Sequence, residues 1–248
     1  MKLYKKYLAG ETKAVYDEIH ELGDKAFSME HMPEIEKVLT ETFERVAYNL
    51  RIIYQELLAI GYQFKTNPEF NFEKSLHLPL ENTNSLIQKI DSAIAPFGYI
   101  PLSLKYFYRL VGGVNFTWDY AMNKNLMWNV ADPIWIASID SIADDVTNKF
   151  WAEEIQEYID YDILEHAFLE LSADELHKDN ISGNPSYIIE ITKKPSIDGN
   201  FLREPNDTTF INYLRICFDN CGFPGLTRND LNDHQAFFDI VKPKLKKI

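Results

Sequence analysis

Apolar residues recur at alternating steps of four and three through residues 33–61. The positions are Leu39, Phe43, Val46, Leu50, Ile53, Leu57 and Ile60. An α-helix makes one turn in about 3.6 residues, so this spacing puts all of them on one face of a single long helix. Pro33 fits a first helical turn, and Gly61 fits the position just after a last one. Because such a face needs a large surface to cover it, the rest of the chain is predicted to pack around this helix.

A shorter helix is predicted over residues 12–22, with Gly23 as its stop. The two helices can pair as an antiparallel hairpin. The three-four spacing also fits a coiled-coil seam, through which a structural subunit would dimerise. Residues 63–84 are polar and lack a sustained period, which is typical of a connector. We therefore divide the chain into a helical extension with its connector, residues 1–80, and a second domain, residues 81–248.

The pattern changes after Gly112 and Gly113. Helices are predicted over residues 85–95 and from Pro101 to that glycine pair, whereas short runs of branched and aromatic residues at 114–118, 126–130 and 133–138 indicate strands. Further strands are predicted at 167–171 and 186–191, and further helices at 148–159, at 173–178 and from Thr209. Ser172 and Glu175 have the spacing of a capping box. Strands and helices without regular alternation predict an α+β domain.

Composition sets the class of protein. The chain has 248 residues, 46% of them hydrophobic and 25% charged, values that are ordinary for a globular protein. No uncharged run is long enough for a membrane span, and no signal-peptide core precedes Glu11, so we expect a cytoplasmic protein without a membrane partner. Two cysteines and six scattered histidines form no metal-binding motif. No metal site and no cofactor is therefore predicted.

Negative charge is concentrated in one window. Residues 132–175 hold thirteen acidic side chains and a single basic one, Lys149, in a chain of net charge −13. This balance argues against direct binding of nucleic acid, which needs clustered Lys and Arg. A local negative potential attracts a basic partner and speeds its approach. Alternatively, the same charge does no more than keep the protein soluble. Both interpretations, a surface for a partner and a solvated face, stay open.

Two cysteines lie four residues apart near the end of the helix predicted from Thr209. Cys217 and Cys221 share a helix face, but two thiols are only half of a structural zinc site. Phe210, Leu214 and Phe218 continue the same apolar stripe. We interpret both cysteines as small buried hydrophobic residues at the packed end of a helix that "GFPG" terminates.

The segment "DELHKDNISGNP" is the strongest enzymatic candidate. It brings His177, Lys178, Asn180 and Ser182 together in sequence, and acid–base chemistry needs such groups to converge in a cleft. A capped helix followed by a glycine turn uses the same residue types for structural reasons. No nucleophile elbow, phosphate loop or dinucleotide fingerprint accompanies them. We assign no catalytic residue, and a small-molecule-binding or hydrolytic enzyme using this loop is the alternative function.

Three stretches carry a resemblance to a known family. "LIQKIDSAIAPFGYIPLSLKYFYRLVGGVNF" resembles the opening of the SUKH superfamily. "LSADELHKDNISGNPSYIIEI" and "FLREPNDTTFINYLRICFDNCGFPG", with Pro195 and Asp198 between them, resemble a bacterial branch of that superfamily. The resemblance extends over residues 85–226 and leaves the long helix outside it.

This resemblance implies a fold and a function. The fold is one mixed, mainly antiparallel sheet covered by helices, here with an N-terminal helical hairpin as an extension. The function is protein binding without catalysis, as in bacterial toxin-immunity proteins and fungal regulators of cell-wall synthesis. We therefore expect a monomer or homodimer that binds a protein partner, such as a basic toxin domain of the nuclease type, through an acidic surface. Its expected contact residues are Asp140, Asp144, Asp145, Trp151, Glu153, Glu154, Glu157, Tyr158, Asp160 and Asp162.

Overall fold

A computed structural model describes residues 2–65, 74–119, 122, 128–163, 165–181, 183–228 and 233–248. Within these ranges the helices are α1 (Lys2–Leu8), α2 (Thr12–Glu21), α3 (Met32–Ala59), α4 (Thr83–Ile94), α5 (Leu102–Leu110), α6 (Ile139–Thr147), α7 (Lys149–Asp160), α8 (Glu175–Lys178), α9 (Phe210–Asp219) and α10 (Gln235–Val241). The strands are β1 (Leu76–His77), β2 (Gly113–Asn115), β3 (Trp135–Ile136), β4 (Phe168–Ser172), β5 (Tyr187–Glu190), β6 (Asn200–Leu202) and β7 (Thr208–Thr209). The predicted α+β class is confirmed. Of the strand predicted at 126–130, residues 126 and 127 lie outside the described ranges, and 129–130 form a turn.

The long helix α3 forms where its apolar spacing predicts it. Six of the seven spaced positions are fully buried, and only Ile60, just past the helix end, is exposed. The helix packs against α1, α5 and α10. Its apolar face is therefore covered by its own chain, which is the first of the two uses that the sequence left open.

The N-terminal extension contains a helix, α1, that was not predicted from the sequence. α1 packs against both α2 and α3, so the predicted hairpin gains a third member. The hydroxyl of Thr42 on α3 contacts those of Tyr7 on α1 at 2.9 Å and Tyr16 on α2 at 2.8 Å. Buried hydroxyls need such partners, and these contacts fix the three helices together.

The strands form two antiparallel sheets, in the orders β1-β2-β3 and β4-β5-β6-β7, where the sequence predicted a single mixed sheet. They meet where the Ala137 N–H donates to the carbonyl of Leu171 at 2.8 Å. β3 is short because the chain turns at Ser138 to begin α6. β4 has a register shift between Glu170 and Ser172, which also interrupts regular pairing.

The segment at 196–198 joins two helices to the second sheet. The N–H groups of Leu102 and Ser103, at the start of α5, donate to the carbonyls of Ser196 and Ile197 at 2.9 and 2.8 Å. The carboxylate of Asp198 accepts from the Ser103 hydroxyl at 2.9 Å and from the Ile211 N–H of α9 at 3.2 Å. Helix N-termini leave such donors unsatisfied, so this segment caps two helices at once.

The boundary placed at residue 80 stays a prediction. β1 precedes that boundary and pairs with β2 beyond it. Buried residues of α3 and of both sheets belong to one hydrophobic core. Within the described ranges, no helix combines the length and apolar character that a membrane crossing needs.

Candidate binding surface

Helix α7 carries most of the predicted contact residues. Its N-cap residue Asn148 accepts a hydrogen bond from the Phe150 N–H at 3.1 Å. Ile155 is its one fully buried side chain among those described. Trp151 packs edge-on against Phe97, with ring centroids 5.5 Å apart, and is half-buried. A helix attached by so few contacts leaves most of its surface to solvent.

Tyr158 packs inward in the same way as Trp151. Its ring stacks on Phe168 of β4 with centroids 6.1 Å apart, and its hydroxyl donates to Glu154 at 2.9 Å. This hydrogen bond to a carboxylate raises the pKa of Tyr158. Trp151 and Tyr158, predicted as anchors for a partner, therefore also hold α7 onto the fold.

The carboxylates of α7 lie on both of its flanks. Glu153, Glu157 and Asp160 line a shallow depression of about 770 Å³ whose floor includes Pro96 and Phe97. Glu154 lies on the opposite flank, above a second cavity of about 300 Å³ beside β4. Asp162 follows the helix, exposed, in a left-handed backbone conformation with φ of 53°. These carboxylates face solvent, as the helical period predicts.

Two exposed aromatic residues flank this surface. Phe150 is 59% exposed and Tyr161 is 70% exposed. Neither residue is among the contact residues that the sequence predicted. The inward residues of α7 are Trp151, Ile155, Tyr158 and Ile159, whose three-four spacing leaves out both positions. The spacing in the sequence therefore already indicated that Phe150 and Tyr161 lie outside the inward face of α7.

The predicted acidic residues of α6 line a separate cavity of about 410 Å³ between β3 and β4. We call this cavity the seam groove, because it lies where the two sheets meet. It is lined by the carboxylates of Asp140, Asp144, Asp145 and Glu170, the hydroxyls of Ser138, Ser141, Ser172 and Ser186, and by His77 and Asn115, among others. Asp145 and Glu170 also line the 300 Å³ cavity beside α7. The seam groove and that cavity therefore share a wall.

Charge repulsion is built into the seam groove. Burial raises the pKa of Asp145, and the nearby carboxylates of Glu170 and Asp144 raise it further. Burial lowers the pKa of His77 despite the charge of Asp140. Lys89 of α4 pairs with Asp144 at 3.3 Å, at an exposed position outside the lining. The lining itself includes neither Lys nor Arg.

Glu170 was counted in the acidic window but was not predicted as a contact residue. It lies in β4 between the buried residues Leu169 and Leu171. Successive side chains of a strand point to opposite faces, so its outward position was readable from "FLELS". His77 and Asn115 gave no such signal, because β1 and β2 bring them to the groove from distant parts of the sequence.

The described side chains of the His177 loop turn in different directions. The N-cap residue of α8 is Asp174, which accepts from the Leu176 N–H at 2.9 Å; the capping box predicted from Ser172 is wrong, since the Ser172 hydroxyl donates to Ala173 instead. His177 is half-exposed and hydrogen-bonds to Asp174. Burial works to raise the pKa of Asp174, but the hydrogen bonds that its carboxylate makes with His177 and with the backbone N–H groups of Leu176 and Asn184 together lower it.

Lys178 faces the opposite way from His177. It is fully buried, with its Nζ 2.7 Å from Asp132, whereas Asn180 is exposed in a left-handed conformation. Ser182 lies outside the described residues. The residues that are adjacent in sequence therefore do not converge on one cleft.

The two cysteines are buried in the core, as predicted. Burial raises the pKa of Cys221 to about 12 and that of Cys217 still further. Both thiols therefore stay protonated at neutral pH. Among the residues that the structure describes, no three His, Cys, Asp or Glu side chains are grouped as a metal site requires.

No family model, curated protein or solved structure matches the chain. The resemblance to the SUKH superfamily stays a prediction from the sequence.

Proposed function

We propose that this protein is a non-enzymatic binding module that engages a basic protein partner through the carboxylates of α6 and α7. Its role would be that of an immunity protein, which occludes a basic toxin domain of the nuclease type. The observation that carries the proposal is the surface of α7. That helix keeps one fully buried residue and turns Glu153, Glu154 and Glu157 to solvent beside the exposed rings of Phe150 and Tyr161.

The chemistry of this surface supports a partner of opposite charge. Complementary potentials steer encounter and select against partners of the wrong sign. Aromatic residues that become buried supply much of the binding energy at protein interfaces. α7 offers both features within about three helical turns. Internal contacts take up Asp132, Asp174 and Glu175 of the acidic window, whereas the α7 carboxylates face outward.

As the partner, the test uses a basic toxin domain if the gene neighbourhood encodes one. The triple variant Glu153→Lys, Glu154→Lys, Glu157→Lys reverses three charges on α7. We expect it to weaken the complex by about tenfold or more and to reduce the dependence of affinity on salt, because attraction becomes repulsion. Isothermal titration calorimetry at several salt concentrations measures both effects.

A matched control makes the same change of charge elsewhere. Asp17→Lys, Glu21→Lys, Glu30→Lys alters three exposed residues of the N-terminal extension and is expected to change affinity by less than about threefold. Equal affinity of the α7 variant and the native chain would remove this surface from the account. A gene neighbourhood without a basic toxin domain would count against the immunity role.

A further inference from the structure

The shallow depression beside α7 has an apolar floor. Pro96, Phe97 and Ala152 line it together with Tyr161, and its volume is about 770 Å³. Pro96 and Ala152 are exposed, and Tyr161 is 70% exposed. An apolar side chain from another molecule would therefore find contact area here that solvent now covers.

The segment under the depression is held in place by backbone hydrogen bonds. The N–H groups of Phe97 and Gly98 donate to the carbonyl of Ile94 at 2.8 and 3.0 Å. Tyr99 and Thr192 exchange backbone hydrogen bonds at 2.9 and 3.1 Å. A surface that is formed before binding loses little conformational freedom when a partner arrives.

The rim of the depression carries carboxylates at a helical interval. Glu153, Glu157 and Asp160 are spaced i, i+4 and i+7, so they follow one flank of α7 over about 10 Å. Gln156 lies between them and donates to Asp160 at 2.8 Å. Among the described residues that line the depression there is no Lys or Arg. A partner that complements this rim supplies cations beside an apolar group.

A helix meets both demands with one spacing. A second helix lying along α7 rises by the same amount of about 1.5 Å per residue, so its cations at i, i+4 and i+7 would face the three carboxylates together. An extended strand would pass the rim in about three residues, with successive side chains on opposite faces. Amphipathic helices bind other proteins by laying their apolar face into a groove. The spacing therefore favours a helix over an extended segment.

We propose that the depression beside α7 binds an amphipathic basic helix of the partner. One of its apolar side chains lies over Phe97, against Ala152 and Tyr161, and its cations face the carboxylates of the rim. The proposal rests on the proposed function and adds to it the kind of segment that α7 recognises. The apolar contact supplies most of the affinity, whereas the carboxylates select the sign of the partner's charge.

The test titrates the full chain with a capped, alanine-based helical peptide of about twenty residues. Its lysines are spaced i, i+4 and i+7, and a leucine precedes each of them. Nuclear magnetic resonance follows the Ala152 methyl group and the Tyr161 ring, and we expect saturable shifts of both. Replacing the leucines by serine should raise the Kd about tenfold, because the apolar contact is lost while the charge is kept.

A variant of the chain separates shape from charge. Ala152→Trp fills the depression without changing a charge and should raise the Kd for the leucine peptide by about tenfold or more. The matched control Ala14→Trp makes the same change at an exposed position of α2 and should alter this Kd less than about threefold.

Several results would overturn the proposal: equal affinity of the serine and leucine peptides, equal affinity of Ala152→Trp and the native chain, or absence of saturable shifts. Equal binding of a peptide of the same charge interrupted by prolines would replace the helix by an extended segment. A dimer of the chain alone, seen by analytical ultracentrifugation and abolished by Ala152→Trp, would assign the depression to a second copy. The charge reversal of α7 tests the proposed function separately, since it uses a toxin domain and no peptide.

Discussion

Lys178 holds two separate parts of the molecule together. Its ammonium group pairs with Asp132, in the loop before β3, at 2.7 Å and lies 4.6 Å from the centre of the Tyr187 ring. Arg228 lies beside this ion pair: its guanidinium is 3.6 Å from the carboxylate of Asp132 and 2.8 Å from the carboxylate of Glu175. A buried charge is tolerated only with such partners, because desolvation is expensive. The lysine of the "LHK" stretch is therefore a structural link between α8 and the loop at 129–134.

Removing this cation should destabilise the fold. In Lys178→Met the carboxylate of Asp132 stays buried without its ammonium partner, and we expect the free energy of unfolding to fall by about 3–5 kcal/mol. Urea denaturation measures the change. Lys193→Met, at an exposed position, is the control and should change stability by less than about 0.5 kcal/mol.

A double variant separates the ion pair from the space it fills. Lys178→Met with Asp132→Leu leaves no unpaired charge and should recover part of the loss. If Lys178→Met alone unfolded at the same urea concentration as the native chain, Lys178 would not be a structural link, and its burial beside Asp132 would need another explanation.

At the scale of elements, α3 organises the core. Its inner face contacts α1, α5 and α10, so the N-terminal extension and the C-terminal half share one hydrophobic interior. The carbonyl of Lys246 accepts from the Asn49 side-chain amide at 2.8 Å, and the Lys246 N–H donates back to the same side chain at 2.8 Å. Even a polar residue of α3 is thus used to fix another segment against it.

Two leucines of α3 provide a direct comparison. Leu50→Ala removes a buried side chain and should lower the free energy of unfolding by about 2–5 kcal/mol, through lost burial and the cavity left behind. Leu58→Ala makes the same chemical change at a half-exposed position and should cost less than about 1 kcal/mol. Thermal and urea denaturation of the two variants check this. Similar losses from both would contradict the burial of Leu50 and with it the packing of α3 described above.

The elements that could be predicted are those with a local period. α2, α3, α4, α7 and α9 follow from apolar spacing, and β4 and β5 from runs of branched residues. α6 was not predicted, although Ile139, Ile142, Ala143 and Val146 have helical spacing. The strand predicted at 133–138 directly precedes it, so the sequence pattern does not show where the helix begins. β1, β6 and β7 have only two or three residues each, which is too short for a period to show, and they are defined by their pairing with other strands. No local pattern identifies such strands.

The acidic surface was predictable in part, for the same reason. α7 presents its carboxylates at positions that its own period defines. The seam groove combines β1, β2, β4 and α6, so its members His77, Asn115 and Glu170 come together only in the folded chain. The His177 loop shows the reverse case: neighbours in sequence point in different directions, since successive residues of a helix such as His177 and Lys178 are about 100° apart around its axis.

At the scale of the whole molecule, several reactive-looking side chains lie inside, whereas the carboxylates of α7 face solvent. Lys178, Cys217, Cys221 and Asp198 all serve packing, capping or internal pairing. The outward-facing part of the acidic window is gathered on α6, α7 and β4. This arrangement, with polar groups used internally for structure and an acidic surface facing solvent, is the one expected under the proposed function.

Hydrogen–deuterium exchange of the full chain, with and without a basic toxin domain of the kind proposed as its partner, tests this arrangement most directly. Binding slows exchange where it suppresses local opening. The account predicts protection of α6, α7 and β4, with exchange at residues 174–181 unchanged. Protection confined to residues 174–181, with α6, α7 and β4 unaffected, would contradict it.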